Sequence, residues 1–343
     1  MNDDRYSRQE IFKPIGSQGQ QLLSEAHVLI IGAGALGSGN AEILARSGVG
    51  TITIVDRDVV EWSNLQRQSL YSEEDVNEQL PKAIAAANRL KEINSGIRVN
   101  PLVLDCTALD LQNILENNKV DLIIDATDHF SIRYIINDIS FRYGIPWIYG
   151  ACSGSFGAVY NMIPGQTPCL HCLLKRLPVS SASCDREGII APTVQMVVSM
   201  QSAEALKFLS GNQSSMSNRY IVFDLWSNMF QSIQVNNELR SSACPTCGNQ
   251  PTYPYLKHDA QIKTEVLCGR TSVWLRYPRQ APLHLEEIAR HAREKGTTVK
   301  MNSYLIQIEE PNNRLVIFQD GRALVHGTSD PVTAKKLYQH YIS

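Results

Sequence analysis

Two groups of residues have the types and spacing that chemistry requires: a glycine-rich segment with charges after it, and two pairs of cysteines. The glycine-rich segment runs from Gly32 through Gly34 to Gly37 with the spacing G-x-G-x-x-G. It lies between His27–Ile31, an apolar run that predicts a strand, and Asn40–Arg46, which has helical composition. A turn in this position presents backbone N–H groups and a helix N-terminus to phosphate. A glycine turn that only packs a helix on a strand has the same pattern.

A carboxylate follows the next strand of this predicted β-α-β unit. The apolar run Thr51–Val55 predicts the strand, and Asp56 comes directly after it. A carboxylate there can accept hydrogen bonds from the hydroxyls of a ribose. NAD and ATP both contain ribose and phosphate, so the unit predicts a nucleotide without choosing between them.

The polar segment beyond this strand favours ATP. It reads Arg57-Asp58-Val-Val-Glu61-Trp-Ser-Asn64-Leu-Gln-Arg67-Gln68. Its Arg67, together with Arg8 and Lys82, offers three cations to one triphosphate, and the segment adds several amides. Phosphoryl-type chemistry depends on such positioning and charge stabilisation, whereas hydride transfer to a nicotinamide does not. Taken singly, Arg8, Arg67 and Lys82 would be ordinary surface charges, so the prediction depends on their combination.

Asp128 is a candidate magnesium ligand. It follows Asp121–Asp125, a strongly apolar predicted strand, at the carboxyl edge of the sheet where open α/β folds bind ligands. A carboxylate there can hold Mg²⁺ that bridges phosphate oxygens. In isolation, the same aspartate would be a turn-capping residue.

The two cysteine pairs have metal-ligand spacing. Cys169-Leu-His-Cys172 and Cys244-Pro-Thr-Cys247 are C-x-x-C knuckles, which favour tetrahedral Zn²⁺ bound by four thiolates. Four thiolates leave no open position, so the zinc would be structural, and His171 would be a bystander. Separate redox pairs, unliganded pairs and catalytic zinc are the alternatives. The gap of about 70 residues means that the metal would join distant segments.

Cys184 is a candidate nucleophile because it lies in a segment of small residues, where Arg186 can favour its thiolate. An incidental loop cysteine is the alternative. The small residues of Ser153–Gly157 predict either a narrow channel for a glycine-ended tail or an ordinary tight turn.

The elements that must position these residues alternate between strands and helices, which predicts an α/β fold with a mostly parallel sheet covered on both faces. Further strands are predicted at Ile145–Tyr149, Ala158–Ile163 and Tyr220–Asp224, and a long helix at Ala191–Leu209. We predict a nucleotide-binding domain over residues 1–255 and a small α+β domain over residues 256–343.

The smaller domain is predicted to contain a strand at Glu265–Arg276, a helix at Leu283–Glu294, a strand at Tyr304–Glu309, a hairpin at Asp320-Gly321 and a helix from Pro331. We expect it to contact a carrier protein or to support a dimer. Its segment Cys268-Gly-Arg270 is too short and too poorly matched to predict a rhodanese-type loop.

The composition, 43% hydrophobic and 19% charged with a net charge of −2, is that of an ordinary globular protein. It disfavours a non-specific nucleic-acid binder. The polar N-terminus and the lack of a long apolar run predict a cytoplasmic protein without a membrane span. In that reducing compartment, the eight cysteines favour metal ligands or a reactive thiol over disulfides.

The order and approximate spacing of these motifs resemble the MoeB/ThiF family, the bacterial E1-like enzymes that adenylate sulfur-carrier proteins. The resemblance covers about Arg5 to Gly248. It rests on Arg5-Tyr-Ser-Arg8-Gln9, Gly32–Gly37, Asp56-Arg-Asp58, Glu61-Trp-Ser-Asn64-Leu-Gln-Arg67-Gln68, Pro81-Lys82 and Ala126-Thr-Asp128.

The resemblance implies a role for each matched residue. In the family, ATP and Mg²⁺ are bound by the residues that match Gly34, Asp56, Asp58, Asn64, Arg67, Lys82 and Asp128. The residue that matches Arg8 reaches the site of the other subunit of a homodimer. The same zinc site with four cysteine ligands is implied, as is covalent bonding of the carrier to Cys184 in ThiF-like members. His129 and Leu80 depart from the usual Asn and Gly, but neither change removes a charged group.

The implied fold is the Rossmann-like E1 adenylation fold. The implied activity is ATP-dependent adenylation of the C-terminal glycine carboxylate of a ubiquitin-like sulfur-carrier protein, ThiS-like or MoaD-like, in thiamin or molybdopterin biosynthesis. A cysteine desulfurase or sulfurtransferase is a further expected partner. An NAD-dependent oxidoreductase and an inactive E1-like scaffold that binds the carrier are the alternatives. The first leaves the charged segment unexplained, and the second does not require Lys82 or Asp128.

Overall fold

The computed structural model divides the chain into two compact units, Met1–His258 and Asp259–Ser343. It describes residues 4–175, 188–257, 263–267, 271–276 and 282–342. None of the helices within these ranges is long and apolar enough to cross a membrane.

The first unit is built on an eight-stranded sheet. Its strands, in chain order, are β1 (His27–Ile31), β2 (Thr51–Asp56), β3 (Arg98–Val103), β4 (Leu122–Asp125), β5 (Trp147–Ser153), β6 (Phe156–Met162), β7 (Arg219–Asp224) and β8 (Met229–Gln234). They lie in the order β3-β2-β1-β4-β5-β6-β7-β8. The first five are parallel, and β6, β7 and β8 continue the sheet antiparallel. The prediction of a mostly parallel α/β sheet is confirmed.

Helices flank this sheet. The described ones are α1 (Ser7–Ile11), α2 (Gly16–Glu25), α3 (Ala35–Arg46), α4 (Glu73–Asn77), α5 (Lys82–Ile93), α6 (Ala108–Asn117), α7 (Phe130–Tyr143), α8 (Leu170–Leu174) and α9 (Ala191–Leu209). Alternate residues of β1 enter two separate cores: Val28 and Ile30 pack into one, and Leu29 and Ile31 into the other. The sheet is therefore covered on both faces, as its continuous apolar runs require.

The second unit contains a six-stranded antiparallel sheet. Its strands are β9 (Lys263–Leu267), β10 (Ser272–Arg276), β11 (Thr298–Met301), β12 (Leu305–Glu309), β13 (Arg314–Phe318) and β14 (Ala323–His326), in the order β11-β12-β13-β14-β10-β9. The helices α10 (Leu285–Glu294) and α11 (Pro331–Ile342) share its apolar core. The predicted hairpin between β13 and β14 is confirmed.

One prediction in this unit is wrong. The segment Glu265–Arg276, predicted as one strand, covers parts of two strands, β9 and β10, which pair antiparallel with each other. The apolar residues on either side of the reversal have the same β-forming composition, so the pattern does not mark where the chain turns back. The intervening Cys268-Gly-Arg270 lies outside the described residues.

Candidate active site

The predicted nucleotide residues meet at the carboxyl edge of the parallel strands. The strand order reverses between β1 and β4, and ligands of open α/β sheets bind at such a switch point. The loops after these two strands touch, because a Cβ atom built on Gly32 would lie 2.5 Å from the carbonyl oxygen of Ala126. The loop that leads to Asp128 is therefore beside the glycine-rich turn.

The three glycines of that turn differ in what surrounds them. Gly32 has a φ of +98°, and a Cβ on Gly37 would lie 1.9 Å from the carbonyl oxygen of Gly32. Both positions require glycine for the fold itself. A Cβ on Gly34 would meet nothing closer than the side-chain amide of Gln68 at 3.9 Å. The protein's own packing therefore does not explain Gly34, which leaves room for a ligand at the start of α3.

Asp56 organises the turn. Its Oδ2 accepts a hydrogen bond from the N–H of Ala33 at 2.6 Å, and its Oδ1 accepts one from the N–H of Asp58 at 2.7 Å. Burial raises the pKa of Asp56, while the positive charge of Lys82 opposes that rise. The carboxylate thus connects the glycine-rich turn to the charged segment after β2.

Lys82 is a buried cation at this edge. Only 7% of the residue is exposed, and its Nζ lies 3.1 Å from Oδ2 of Asp58, whose side chain is half exposed. Burial by itself lowers the pKa of Lys82, but the charges of Asp58 and Asp56 outweigh it and raise the pKa. Lys82 therefore remains charged at neutral pH, beside a partner that solvent can reach.

Tyr71 is a site residue that the sequence does not indicate. Its buried hydroxyl lies 2.5 Å from the carbonyl oxygen of Ala33 and 3.3 Å from that of Lys82. Burial raises its pKa well above the ordinary value, so the hydroxyl stays protonated and donates. Tyr71 thus ties the glycine-rich turn to the first residue of α5. Only the tertiary structure brings its partners together.

Two further predicted residues of the charged segment, Asn64 and Arg67, make hydrogen bonds within the segment itself. Asn64 is buried, and its side-chain oxygen accepts the N–H of Glu61 at 3.1 Å. The guanidinium of Arg67 donates to the carbonyl of Ser63 at 2.7 Å.

Arg8 lies on α1, is exposed, and makes no hydrogen bond or ion pair with the described part of a single chain. No hydrogen bond or ion pair joins Arg8 to the other predicted site residues that the structure describes.

Asp128 is held at the sheet edge by a buried ion pair. Its own side chain is 70% exposed, with Nε2 of His129 3.6 Å away. Three residues earlier, Asp125 is fully buried and pairs with Nε of Arg133 on α7 at 2.8 Å. Burial raises the pKa of Asp125, and the charge of Arg133 opposes this rise. Arg133 also donates to the carbonyl of Thr127 at 2.6 Å, which fixes the backbone next to Asp128.

The four predicted metal-ligand cysteines form one buried cluster. The sulfur atoms of Cys169, Cys172, Cys244 and Cys247 all lie within 4.8 Å of one another. Cys169 and Cys244 are 3.5 Å apart, and Cys172 and Cys247 are 3.6 Å apart. Tetrahedral Zn²⁺ with bonds of ~2.3 Å requires sulfur atoms about 3.8 Å apart, so the residues fit such an ion.

Two further predictions, the nucleophile at Cys184 and the channel at Ser153–Gly157, are not tested by the structure. Cys184 and Arg186 lie outside the described residues. The segment Ser153–Gly157 joins β5 to β6 in a tight turn, with Gly154 at a φ of +58°. The backbone of Gly154 also exchanges hydrogen bonds with Gly188 and Ile190. The turn is thus a structural feature in its own right, and its role as a channel stays a prediction.

The strand order, the glycine-rich turn and the buried lysine define a nucleotide-binding α/β protein with a four-thiol cluster. The chain belongs to the ThiF family, which matches residues 6–246. It is similar to the sulfur carrier protein ThiS adenylyltransferase of Bacillus subtilis, with 47% identity over 98% of this chain and 99% of that protein. It is also similar to the molybdopterin-synthase adenylyltransferase of Escherichia coli, with 32% identity over 71% of this chain and 96% of that protein.

Solved structures agree with the fold. The crystal structure of E. coli MccB with ATP covers 72% of this chain and 75% of MccB at a TM-score of 0.60 and 26% identity. The structure of MccB with N-formylated MccA gives a TM-score of 0.62 at 26% identity. The relatives named above are adenylyltransferases, and none of these comparisons supports an oxidoreductase.

Proposed function

We propose that this protein uses ATP to adenylate the C-terminal glycine carboxylate of a ubiquitin-like sulfur-carrier protein. The observation that carries the proposal is the convergence of four features on one sheet edge: the turn at Gly34, buried Lys82, its partner Asp58, and the loop that ends at Asp128. The similarity to ThiS adenylyltransferase along nearly the whole chain supports the same activity.

The chemistry needs little acid–base help from the protein. A C-terminal carboxylate with a pKa near ~3.5 is already ionised at neutral pH. Its oxygen attacks the α-phosphorus of ATP, a new P–O bond forms, and the bond to the bridging oxygen breaks so that pyrophosphate leaves with its electrons. The residues at the edge must therefore orient the phosphates and stabilise the charge that builds up on them.

In this proposal each residue of the edge has a role. The N–H groups at the start of α3 face the phosphates beside Gly34, and Asp56 supports that turn while facing the ribose. Lys82 and Arg67 supply positive charge, and Asn64 supplies a side-chain amide. Asp58 and Asp128 are the carboxylates available to Mg²⁺, which supplies further charge when it is bound. Exposure of Asp128 suits a ligand that arrives with the nucleotide.

Arg8 would complete the site from a second copy of the chain. Its guanidinium has no hydrogen-bond or ion-pair partner within the described part of its own chain, and two apolar side chains just beyond it, Ile11 and Phe12, are exposed. Exposed apolar surface beside an unpaired cation suits a subunit interface. We therefore include a homodimer in the proposal.

The four-cysteine cluster would hold structural Zn²⁺. Its buried sulfur atoms have the separations that a tetrahedral ion requires, and four thiolates leave no open position for catalysis. Bound thiolates are stable in a reducing compartment, so a cytoplasmic location belongs to the same proposal.

A ThiS-like carrier is the preferred substrate, and a MoaD-like carrier is the second candidate. The reason for this preference is coverage: the similarity to ThiS adenylyltransferase extends over 98% of the chain, whereas that to molybdopterin-synthase adenylyltransferase extends over 71%. The adenylated carrier is an activated acyl group, so a sulfur donor such as a cysteine desulfurase or sulfurtransferase would act next. In this proposal, the thiol of Cys184 bonds to the carrier as AMP leaves.

The test is carrier-dependent exchange of labelled pyrophosphate into ATP. We expect exchange with a ThiS-like carrier, weaker or no exchange with a MoaD-like carrier, and loss of exchange in Asp128→Ala. Glu74→Ala, which removes an exposed carboxylate on α4, is the matched control and should be as active as the wild type. Absence of carrier-dependent exchange would sink the proposal and would revive the inactive scaffold.

The role of Arg8 has its own test. Arg8→Ala and Lys82→Ala variants are mixed and allowed to exchange subunits. If Arg8 acts in the other subunit's site, each mixed dimer regains one intact site, so about a quarter of all sites recover on statistical mixing. Recovery that does not exceed either variant alone would exclude action across subunits.

For Cys184, a thiol-sensitive adduct with the carrier that disappears in Cys184→Ala is expected.

A further inference from the structure

The two sites of the first unit are joined by one helix. The helix α7 begins two residues after Asp128, and Phe141 near its end packs against the four-cysteine cluster. Three of its side chains, Arg133, Asn137 and Phe141, are spaced four residues apart and therefore lie on one face. Arg133 contacts the nucleotide edge, Asn137 contacts both cysteine knuckles, and Phe141 contacts the cysteine cluster.

The first of these side chains fixes the nucleotide edge. Arg133 forms the buried ion pair with Asp125 and donates to the carbonyl oxygens of Thr127 and Gly150 at 2.6 and 2.9 Å. The side chain and the N–H of Thr127 in turn donate to Asp125 at 2.6 and 3.0 Å. All polar groups of Thr127, the residue before Asp128, are therefore set by this helix and its partner.

The middle of the helix fixes both cysteine knuckles. The side-chain oxygen of Asn137 accepts the N–H of Leu170, inside the first knuckle, at 2.8 Å. Its side-chain nitrogen donates to Oγ1 of Thr246, inside the second knuckle, at 3.2 Å. The hydroxyl of Thr246 donates to Asp138 at 2.5 Å, and Asn137 and Asp138 are both fully buried.

The end of this face packs on the cysteine cluster. Phe141 is a partly buried apolar side chain that packs against the four buried cysteines. A metal ion that draws the two knuckles together would therefore fix Asn137, Asp138 and Phe141 at once. A buried helix passes such a constraint along its length because packed interiors do not deform continuously.

We propose that α7 couples the four-cysteine site to the nucleotide edge, so that metal and Mg–ATP each strengthen the binding of the other. Asn137 is the positioning residue at the metal end, and Arg133 is the positioning residue at the nucleotide end. This inference rests on the proposed nucleotide site but goes beyond it. It assigns the cluster an effect on substrate binding and does not require that the carrier be adenylated.

Thermodynamic reciprocity gives a direct test on the full chain. The dissociation constant of a non-hydrolysable Mg–ATP analogue is measured by calorimetry on zinc-loaded, zinc-stripped and zinc-restored protein. The dissociation constant of zinc is measured by chelator competition with and without the analogue. We expect stripping to weaken the analogue by about fivefold or more, zinc restoration to reverse this, and the analogue to tighten zinc by the same factor.

Variants separate coupling through α7 from general loosening of the cysteine loops. Asn137→Ser removes the two contacts of Asn137 to the knuckles and leaves the bond between Thr246 and Asp138, so it should lower the coupling factor towards one. Arg240→Gln is the matched control, because Arg240 donates to the carbonyl of Cys247 from outside α7. It should weaken zinc binding while leaving the coupling factor intact. If Asn137→Ser does not fold, Arg133→Lys tests the other end of the helix and should also uncouple the sites.

The outcomes are distinct. A coupling factor of one in the wild type would overturn the inference, as would equal loss of coupling in Arg240→Gln and Asn137→Ser. Analogue binding without carrier-dependent exchange would remove the proposed function and leave the inference standing. No analogue binding to zinc-loaded protein would overturn both, and the missing calorimetric signal identifies that case.

Discussion

The nucleotide edge and the cysteine cluster belong to one unit but are stabilised in opposite ways. At the edge, charges neutralise one another within the chain: Lys82 pairs with Asp58, and Asp125 pairs with Arg133. In the cluster, four buried thiols have chiefly one another as polar neighbours, and their side chains fit a metal ion. We therefore expect the edge to be formed before its ligand arrives, and the cluster to depend on a bound ion. Substitutions should accordingly change activity at the edge and stability at the cluster.

The largest effect that this comparison predicts is on stability. Cys172→Ser removes one of four ligands, and structural zinc sites contribute on the order of 10 kcal/mol to folding in small peptides. In a unit of this size each kcal/mol shifts the melting temperature by about 2–4 °C, so we expect a fall of more than ~10 °C with loss of bound zinc. Thermal unfolding and metal analysis measure both.

His171→Gln is the control, because His171 lies between the two cysteines of the first knuckle but is not one of the clustered ligands. It should retain zinc. If His171→Gln lost zinc and Cys172→Ser retained it, the ligand set would be wrong.

The next largest effect is on catalysis. Lys82→Met removes the buried cation and should lower carrier-dependent pyrophosphate exchange by about 10²–10³-fold, as does loss of one preorganised charge-stabilising group in other enzymes. Stability should fall less than in Cys172→Ser, because solvent can reach the partner Asp58, although buried Asp56 loses the positive charge that opposes the rise in its pKa. Lys91→Met, on the exposed side of the same helix, should be neutral in both assays. A large stability loss with unchanged exchange in Lys82→Met would break the comparison.

A smaller effect, on both stability and activity, is expected at Tyr71. Tyr71→Phe removes the hydroxyl that joins the glycine-rich turn to α5, which leaves a buried carbonyl without its donor and costs about 1–3 kcal/mol. We expect a lower unfolding free energy and a several-fold higher KM for ATP. Tyr143→Phe, whose hydroxyl is exposed, is the matched control. An unchanged KM would show that the turn does not need this donor.

The smallest predicted effect concerns pH at the opposite end of the sheet. His27 begins β1, and its ring nitrogens lie 2.8 Å from Oγ1 of Thr53 and 3.0 Å from the carbonyl of Lys119. Burial lowers the pKa of His27, so the unfolded chain binds a proton at a higher pH than the folded chain does. Stability should therefore be lost as pH falls through about 6.5, the unfolded value, and the loss should level off below the folded pKa.

Denaturant unfolding at a series of pH values measures this loss. His27→Gln should remove that part of the pH dependence, although other groups titrate in the same range. An equally steep loss in the variant would assign the effect to another group.

Several features of both sites can be read from local sequence. The apolar runs at β1 and β2, the glycine spacing between them and the cysteine spacing each depend on residues that are close along the chain. The sequence predicts the helix Ala191–Leu209 with its observed bounds, and Pro192 in its first turn is a local start signal. The separation of β9 from β10 is not predicted, because the residues of the two strands have a similar β-forming composition.

The residues that position these sites have no such local signal. Tyr71 acts on Ala33, Arg133 on Asp125 and Gly150, and Asp138 on Thr246, which is 108 residues away. Each is an unremarkable residue of its own segment until the sheet order places its partner beside it. No pattern in the sequence links them.

The alternation of strands and helices, the glycine-rich turn and the two cysteine pairs can be read from the chain alone, because hydrophobic periodicity and ligand spacing are local properties. The fold is needed to show that the loop of Asp128 lies against Gly32, that Lys82 is buried beside Asp58, and that α7 runs between both sites. These relations arise from the order of strands in the sheet and from burial, which bring together groups that are far apart along the chain.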